Sequence, residues 1–124
     1  MIDHIGIVCY KKEVKKLLSL FKLLGYKKQY EGKVKDYEVN CIFLNDEFEK
    51  EIELIVPLSE KSVISNYLKK HNNRLHHIAY YVENTKKFKN KLQPEKVKGA
   101  KPNMYVTFLD PKKYGILIEL VEYA

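Results

Sequence analysis

Two short patterns occur twice in this chain, in the same order. Asp3-His4-Ile5-Gly6-Ile7-Val8 and His76-His77-Ile78-Ala79-Tyr80-Tyr81 both read polar, His, Ile, tiny, then two large and mostly apolar residues. Ile52-Glu53-Leu54-Ile55 returns as Ile118-Glu119-Leu120-Val121. Each half therefore opens with a His-bearing strand, passes through a helix and closes with an Ile-Glu-Leu strand. This is the signature of a duplicated βαβββ module, and few folds accommodate it. The span from His77 to Glu119 is shorter than that from His4 to Glu53, so the second copy is trimmed.

Periodicity fills in the elements. Ile2–Cys9 reads as a buried strand. Val14, Leu17, Leu18, Phe21 and Leu24 fall at helical spacing, with Gly25 where a left-handed cap belongs, which predicts a helix over 11–24. Strands are predicted over 26–30, 37–44 and 51–58. The connecting segment 59–72 carries Ser62 as a helix cap, followed by Val63, Ile64, Tyr67 and Leu68 on one face. The pattern then restarts with a strand over 75–82, a short helix over 85–92 and strands over 105–109 and 116–123, with Pro111–Gly115 as a hairpin turn. One domain is expected, with module one over 1–58, a linker over 59–73 and module two over 74–124.

Alternation along a strand puts His4 on one face with Gly6 and Val8, and His77 with Ala79 and Tyr81. A tiny residue beside each histidine predicts a hollow above the sheet. Glu53 and Glu119 lie inside strongly apolar strands, where an ionised carboxylate is costly unless paired, hydrogen-bonded or metal-bound. Two imidazoles and two carboxylates converging on one hollow form an N2O2 set suited to zinc, cobalt, nickel, manganese or iron. The sole arginine, Arg74, is remote in sequence from both glutamates. His76, next to His77, is expected to point the other way and to be structural, and His71 to be solvated. Tyr80, Tyr105 and Tyr114 are read as packing or lining residues.

The charge balance narrows the partners. The chain of 124 residues carries a net charge of +7, but its basic residues are lysines except for Arg74, and they are scattered along every polar segment. That is a solvated surface rather than a nucleic-acid footprint, which favours arginine forks and aromatic platforms. The positive field suits a small anionic substrate. Cys9 and Cys41 have no metal or redox spacing and are expected as reduced, packed thiols. No apolar run is long enough to span a bilayer, and Met-Ile-Asp-His lacks the start of a signal peptide. A cytoplasmic location is expected.

On Ile2–Val8, Ile52–Leu58, Leu75–Tyr80 and the stretch from Phe108-Leu109-Asp110-Pro111 into Gly115–Leu120, the chain resembles the vicinal oxygen chelate superfamily. The likeness is greatest to the methylmalonyl-CoA epimerase branch. The resemblance implies an α+β fold in which paired βαβββ modules curl a mixed sheet into a half-barrel cup around a divalent metal. The implied ligands are His4, Glu53, His77 and Glu119. It further implies an isomerase that moves an α-proton through a metal-stabilised enolate, with Glu119 and Glu53 as candidate catalytic carboxylates. The branch often carries another glutamate in the third strand, where this chain reads Tyr37-Glu38-Val39-Asn40-Cys41. Glu38 is the candidate there, with Asn40 as its replacement. A CoA thioester is the implied substrate and a homodimer the implied assembly. A glyoxalase I-like lactoylglutathione lyase and a metal-free, drug-sequestering protein of bleomycin-resistance type are the alternatives.

Overall fold

A computed structural model describes residues 1–124 and joins eight strands in one mixed sheet, ordered β2-β3-β4-β1-β5-β8-β7-β6. The strands are β1 (Ile2–Val8), β2 (Lys27–Val34), β3 (Val39–Asn45), β4 (Glu51–Pro57), β5 (Leu75–Tyr81), β6 (Val97–Lys98), β7 (Met104–Phe108) and β8 (Ile118–Tyr123). β1 runs parallel to β4 and β5 parallel to β8, while β1 and β5 meet antiparallel at the centre. The sheet is thus two four-stranded wings related across the β1/β5 seam. It curls into a half-barrel, so that Cys41 of β3 and Val106 of β7, from opposite wings, line one pocket.

Each face has its own apolar layer. The concave face holds Val8, Val39, Cys41, Phe43, Ile55, Val106 and Val121, and α2 (Val63–Lys70) closes one end by inserting Ile64 and Leu68. Ser62 caps this helix as expected, its hydroxyl accepting from the Ile64 N–H at 3.2 Å. On the convex face of the first wing, α1 (Val14–Leu23) covers Cys9, Ile42, Leu44, Leu54 and Val56 with Val14, Leu17, Leu18 and Phe21. Burial of each such side chain contributes about 1.5–3 kcal/mol before the entropy of ordering is counted. Gly25 follows α1 with a φ of 96°, the left-handed conformation its lack of Cβ permits. Both cysteines are free and buried. No helix is long and apolar enough to cross a membrane.

The second wing departs from the expected pattern. The helix predicted over 85–92 shrinks to one 3-10 turn at Thr85–Lys87, because Asn90 takes a positive φ of 61° and Pro94 follows. Pro111–Tyr114 is not a bare hairpin turn but a single helical turn, α3, capped by Asp110 and ended by Gly115. What ties the reduced 85–87 turn down is Glu122 of β8, which accepts from the Thr85 N–H at 2.7 Å and pairs with Lys96 at 2.9 Å.

Hydrogen bonds from Thr85 and Lys96 hold the Glu122 carboxyl down at about 2. A folded value below the unfolded one stabilises the protein above the ordinary carboxylate range, and that stabilisation is lost as pH falls towards 2. Glu122→Gln is therefore expected to lower stability by about 1 kcal/mol at neutral pH, the scale of one screened charged hydrogen bond. The gap between variant and wild type should close between roughly pH 4.3 and 2, measured by urea unfolding across that range.

Candidate metal centre

The seam builds the site by strand register. Gly6 lies opposite His77, and His4 opposite Ala79. On their other sides Gly6 pairs with Glu53 and Ala79 with Glu119. Beyond these, Glu53 pairs with Phe43 and Glu119 with Phe108. Two cross-strand rows result, Phe43-Glu53-Gly6-His77 and Phe108-Glu119-Ala79-His4, and each half lends its tiny residue to the imidazole of the other. The hollow expected above Gly6 is accordingly filled. A Cβ placed there would stand 2.6 Å from His77 Nδ1.

All four side chains are buried, with His4 at 0%, His77 at 5%, and Glu53 and Glu119 at 6% exposure. His4 Nε2 is 3.1 Å from His77 Nε2, 3.1 Å from Glu53 Oε1 and 3.2 Å from Glu119 Oε1. His77 Nε2 stands 3.4 Å from Glu53 Oε1 and 3.5 Å from Glu119 Oε1. Donors about 2.1 Å from a common divalent ion stand about 3.0 Å apart at right angles and about 3.4 Å apart in a tetrahedron. Glu119 Oε1 is buried without a hydrogen-bond partner. The spacing, the N2O2 chemistry and this orphaned oxygen all fit a divalent cation.

Each imidazole is aimed by a partner behind it. His4 Nδ1 meets Asp3 Oδ2 at 2.7 Å, and Asp3 in turn accepts from the Tyr123 hydroxyl at 3.0 Å. His77 Nδ1 meets His76 Nδ1 at 2.8 Å. Protons on the Nδ1 atoms of His4 and His77 leave both Nε2 lone pairs facing the centre. Burial opposes charge on His4, but the carboxylates of Asp3, Glu119 and Glu53 beside it outweigh that and raise its pKa well above the usual range. Burial likewise opposes charge on Glu53, yet His4 and His77 hold its carboxyl below the ordinary range. His76 is lowered to about 3 by burial and by its neighbour His77, so it is neutral and free to accept a hydrogen bond from that ring. Phe43 and Phe108 stand edge-on to His4 and His77 at 5.7 and 5.6 Å between ring centres.

Two sequence expectations fail here. Glu38 does not reach the site. It takes a left-handed conformation (φ 51°) just before β3, and its carboxylate accepts from Ser59 Oγ at 3.0 Å. Asn40 also points away, donating to Glu31 at 2.8 Å. The inward residues of β3 are Val39, Cys41 and Phe43, so the third strand brings a thiol rather than a carboxylate. Burial and Glu53 push the Cys41 thiol far up, which keeps it protonated. His76, for its part, turns towards the site rather than away. The register jumps from Gly6–His77 to Ile7–Leu75, leaving His76 as the extra residue of a bulge, and both adjacent rings reach the pocket. Sequence reasoning missed Asp3, His76, Phe43 and Phe108, although the first two occupy the polar position that precedes each repeated His.

The family profile described as Glyoxalase/Bleomycin resistance protein/Dioxygenase superfamily matches residues 3–114. No curated protein matches the sequence. Among solved structures, a hypothetical protein from Bacillus halodurans is 30% identical with a TM-score of 0.86, over 100% of this chain and 94% of that one. Methylmalonyl-CoA epimerase from Mycobacterium tuberculosis is 26% identical with a TM-score of 0.88, over 99% and 87% of the two chains. A variant of Streptomyces coelicolor methylmalonyl-CoA epimerase, in complex with 2-nitronate-propionyl-CoA, is 27% identical with a TM-score of 0.85, over 100% and 94%.

Because the His77 ring occupies the space over Gly6, Gly6→Ala must displace either the ring or the central strand pair. The expected cost is about 1–3 kcal/mol, the range for overpacking a dense core. Chemical denaturation of the two proteins measures it, and an unchanged midpoint would contradict the packing described.

Proposed function

The chain belongs to the glyoxalase/bleomycin resistance/dioxygenase superfamily, and we propose that it is a metal-dependent isomerase moving the α-proton of an acid or thioester, in the manner of a methylmalonyl-CoA epimerase. The observation that carries this reading is the meeting of His4, His77, Glu53 and Glu119 at distances of 3.1–3.5 Å in a buried pocket wall. The four would hold a divalent ion from among zinc, cobalt, nickel, manganese and iron. When bound, such an ion supplies Lewis acidity, polarising a substrate oxygen and stabilising the enolate left when the α-proton departs.

The protein's own groups then divide the work. Glu53 and Glu119 each face both imidazoles, at 3.1 and 3.4 Å and at 3.2 and 3.5 Å, and Glu53 is suited to keeping the ring pair in place. Glu119, with an oxygen that lacks a hydrogen bond, is the better base, since a group must be free to move if it is to take a proton. Asp3 and His76 fix the imidazole tautomers. Phe43 and Phe108 place apolar surface beside the two rings, which lowers the local polarity and strengthens the charge interactions there. Inversion needs a proton returned on the opposite face. With Glu38 turned away, Tyr37, Cys41 and His76 are the other titratable residues lining the pocket.

That shortage of carboxylates favours a second reading, a glyoxalase I-like lyase. There one carboxylate removes the proton and hands it back on the same face, so no second acid is needed. Coupled assays with methylmalonyl-CoA, and with methylglyoxal plus a low-molecular-weight thiol, separate the two. CoA recognition is part of the first reading only, and it is supported by the ligands named in the related structures.

Three measurements test the centre itself. Purified protein loaded with Co²⁺ or Zn²⁺ is expected to hold one equivalent, and His4→Ala to lose it. Glu119→Gln is expected to slow exchange of the substrate α-proton with deuterium by about 10²–10⁴-fold, the usual loss when a general base is removed. Chelation should abolish exchange and added metal restore it. A protein that takes up no metal at millimolar concentrations would instead be the metal-free binding protein of the same superfamily.

A further inference from the structure

The cavity beside the four donors has a volume of about 250 Å³ and is lined by 19 residues, of which 13 are hydrophobic. Neither lysine nor arginine is among them, although the chain carries 23 such residues. Apart from the donor cluster and His76, its polar side chains are Gln93 and the hydroxyl of Tyr37, which bond to each other at 3.3–3.4 Å. A second anionic group in this space would lie unpaired beside apolar walls, which is strongly unfavourable. Any negative charge on a ligand must therefore sit at the donors or outside the mouth.

The volume exceeds what a small acid needs. It corresponds to about eight water volumes, each of roughly methylene size. A malonyl-type head with a methyl substituent fills about half of that. The remainder is bounded by Ile55, Ile64, Ala100, Met104 and Val106, all without a free hydrogen-bonding side-chain group. Empty apolar space of this kind gains most from hydrocarbon.

We propose that the substrate's chelating head bears a hydrophobic substituent larger than methyl, of roughly four carbons or one aryl ring, housed between β3, β7, α2 and the 99–100 segment. The proposal rests on the metal-centre reading above and narrows its substrate class: a bulky 2-substituted acid or its thioester, rather than a 2-methyl one. The Tyr37–Gln93 pair offers one neutral hydrogen bond to the end of that substituent.

The test is a titration of the Co²⁺-loaded protein with malonate and its 2-methyl, 2-ethyl, 2-propyl and 2-butyl derivatives, followed by the cobalt absorption spectrum and by calorimetry. Each added methylene is expected to tighten binding about three- to four-fold. Ala100→Phe, which fills the pocket without touching the donors, should remove this gain while leaving unsubstituted malonate unchanged, and Ala100→Leu should remove part of it. Malonate that shifts the cobalt spectrum while affinity stays flat or falls from methyl to butyl overturns the substrate proposal and leaves the metal centre standing. A chain-length gain untouched by Ala100→Phe also overturns it. Protein that binds no cobalt overturns the metal-centre reading, and this proposal with it.

Discussion

Four electron-pair donors converge, buried, at the wall of one pocket, and this electrostatic demand governs the molecule. Two carboxylates and two imidazoles at 3.1–3.5 Å repel unless positive charge lies among them. A proton on His4 answers part of the demand, which is why its pKa is driven upward despite complete burial. A divalent ion answers all of it. The strength of that demand is a property of burial as much as of distance, because the same charges in water would be screened to little consequence. The aromatic walls, the tautomer-fixing residues and the absence of lysine from the pocket all keep the demand undiluted.

Such a cluster must be held against its own repulsion, and the sheet does this with register. Each imidazole stands over the tiny residue of the other strand, so neither half can form its side of the site alone. Gly6 accommodates His77 and Ala79 faces His4 across the antiparallel seam, while the parallel neighbours β4 and β8 bring in the glutamates. A one-residue slip between β1 and β5 would put the two histidines on opposite faces. The duplicated module therefore acts as a register lock, in which correct pairing and correct chemistry are the same condition.

The four donor residues were readable from sequence because repetition marks them twice, and because charge inside an apolar strand is rare enough to need a reason. The paired modules followed from the same repeat, and the curl of the sheet from the family resemblance. Phase was not readable wherever the strand itself is irregular. The prediction of Glu38 assumed that the third strand was already under way at Tyr37. Instead Lys35–Tyr37 form a 3-10 turn and Glu38 is left-handed, which sets the inward face to Val39, Cys41 and Phe43. The outward placement of His76 assumed strict alternation, and a bulge cancels it. Phe43 and Phe108 carry no local signal at all. They become partners of the glutamates only through pairings with β4 and β8, information that lies between strands rather than along them.

The symmetry and its failure also divide the labour between chemistry and selectivity. What obeys the repeat, from Asp3-His4 and His76-His77 to the paired Glu and Phe positions, builds the donor cluster. What breaks it completes the pocket, whose other walls are strands of the repeat. Where the first wing places α1 between its first two strands, the second has a single 3-10 turn and an irregular run, and that run brings Leu92, Gln93, Gly99 and Ala100 to the cavity wall. The linker adds Val63 and Ile64 from α2, which likewise has no counterpart in the repeat. A duplicated core whose donors meet only through strand register cannot vary freely without losing it. The segments outside the repeat carry no such obligation, and they close the part of the pocket wall that the strands leave open.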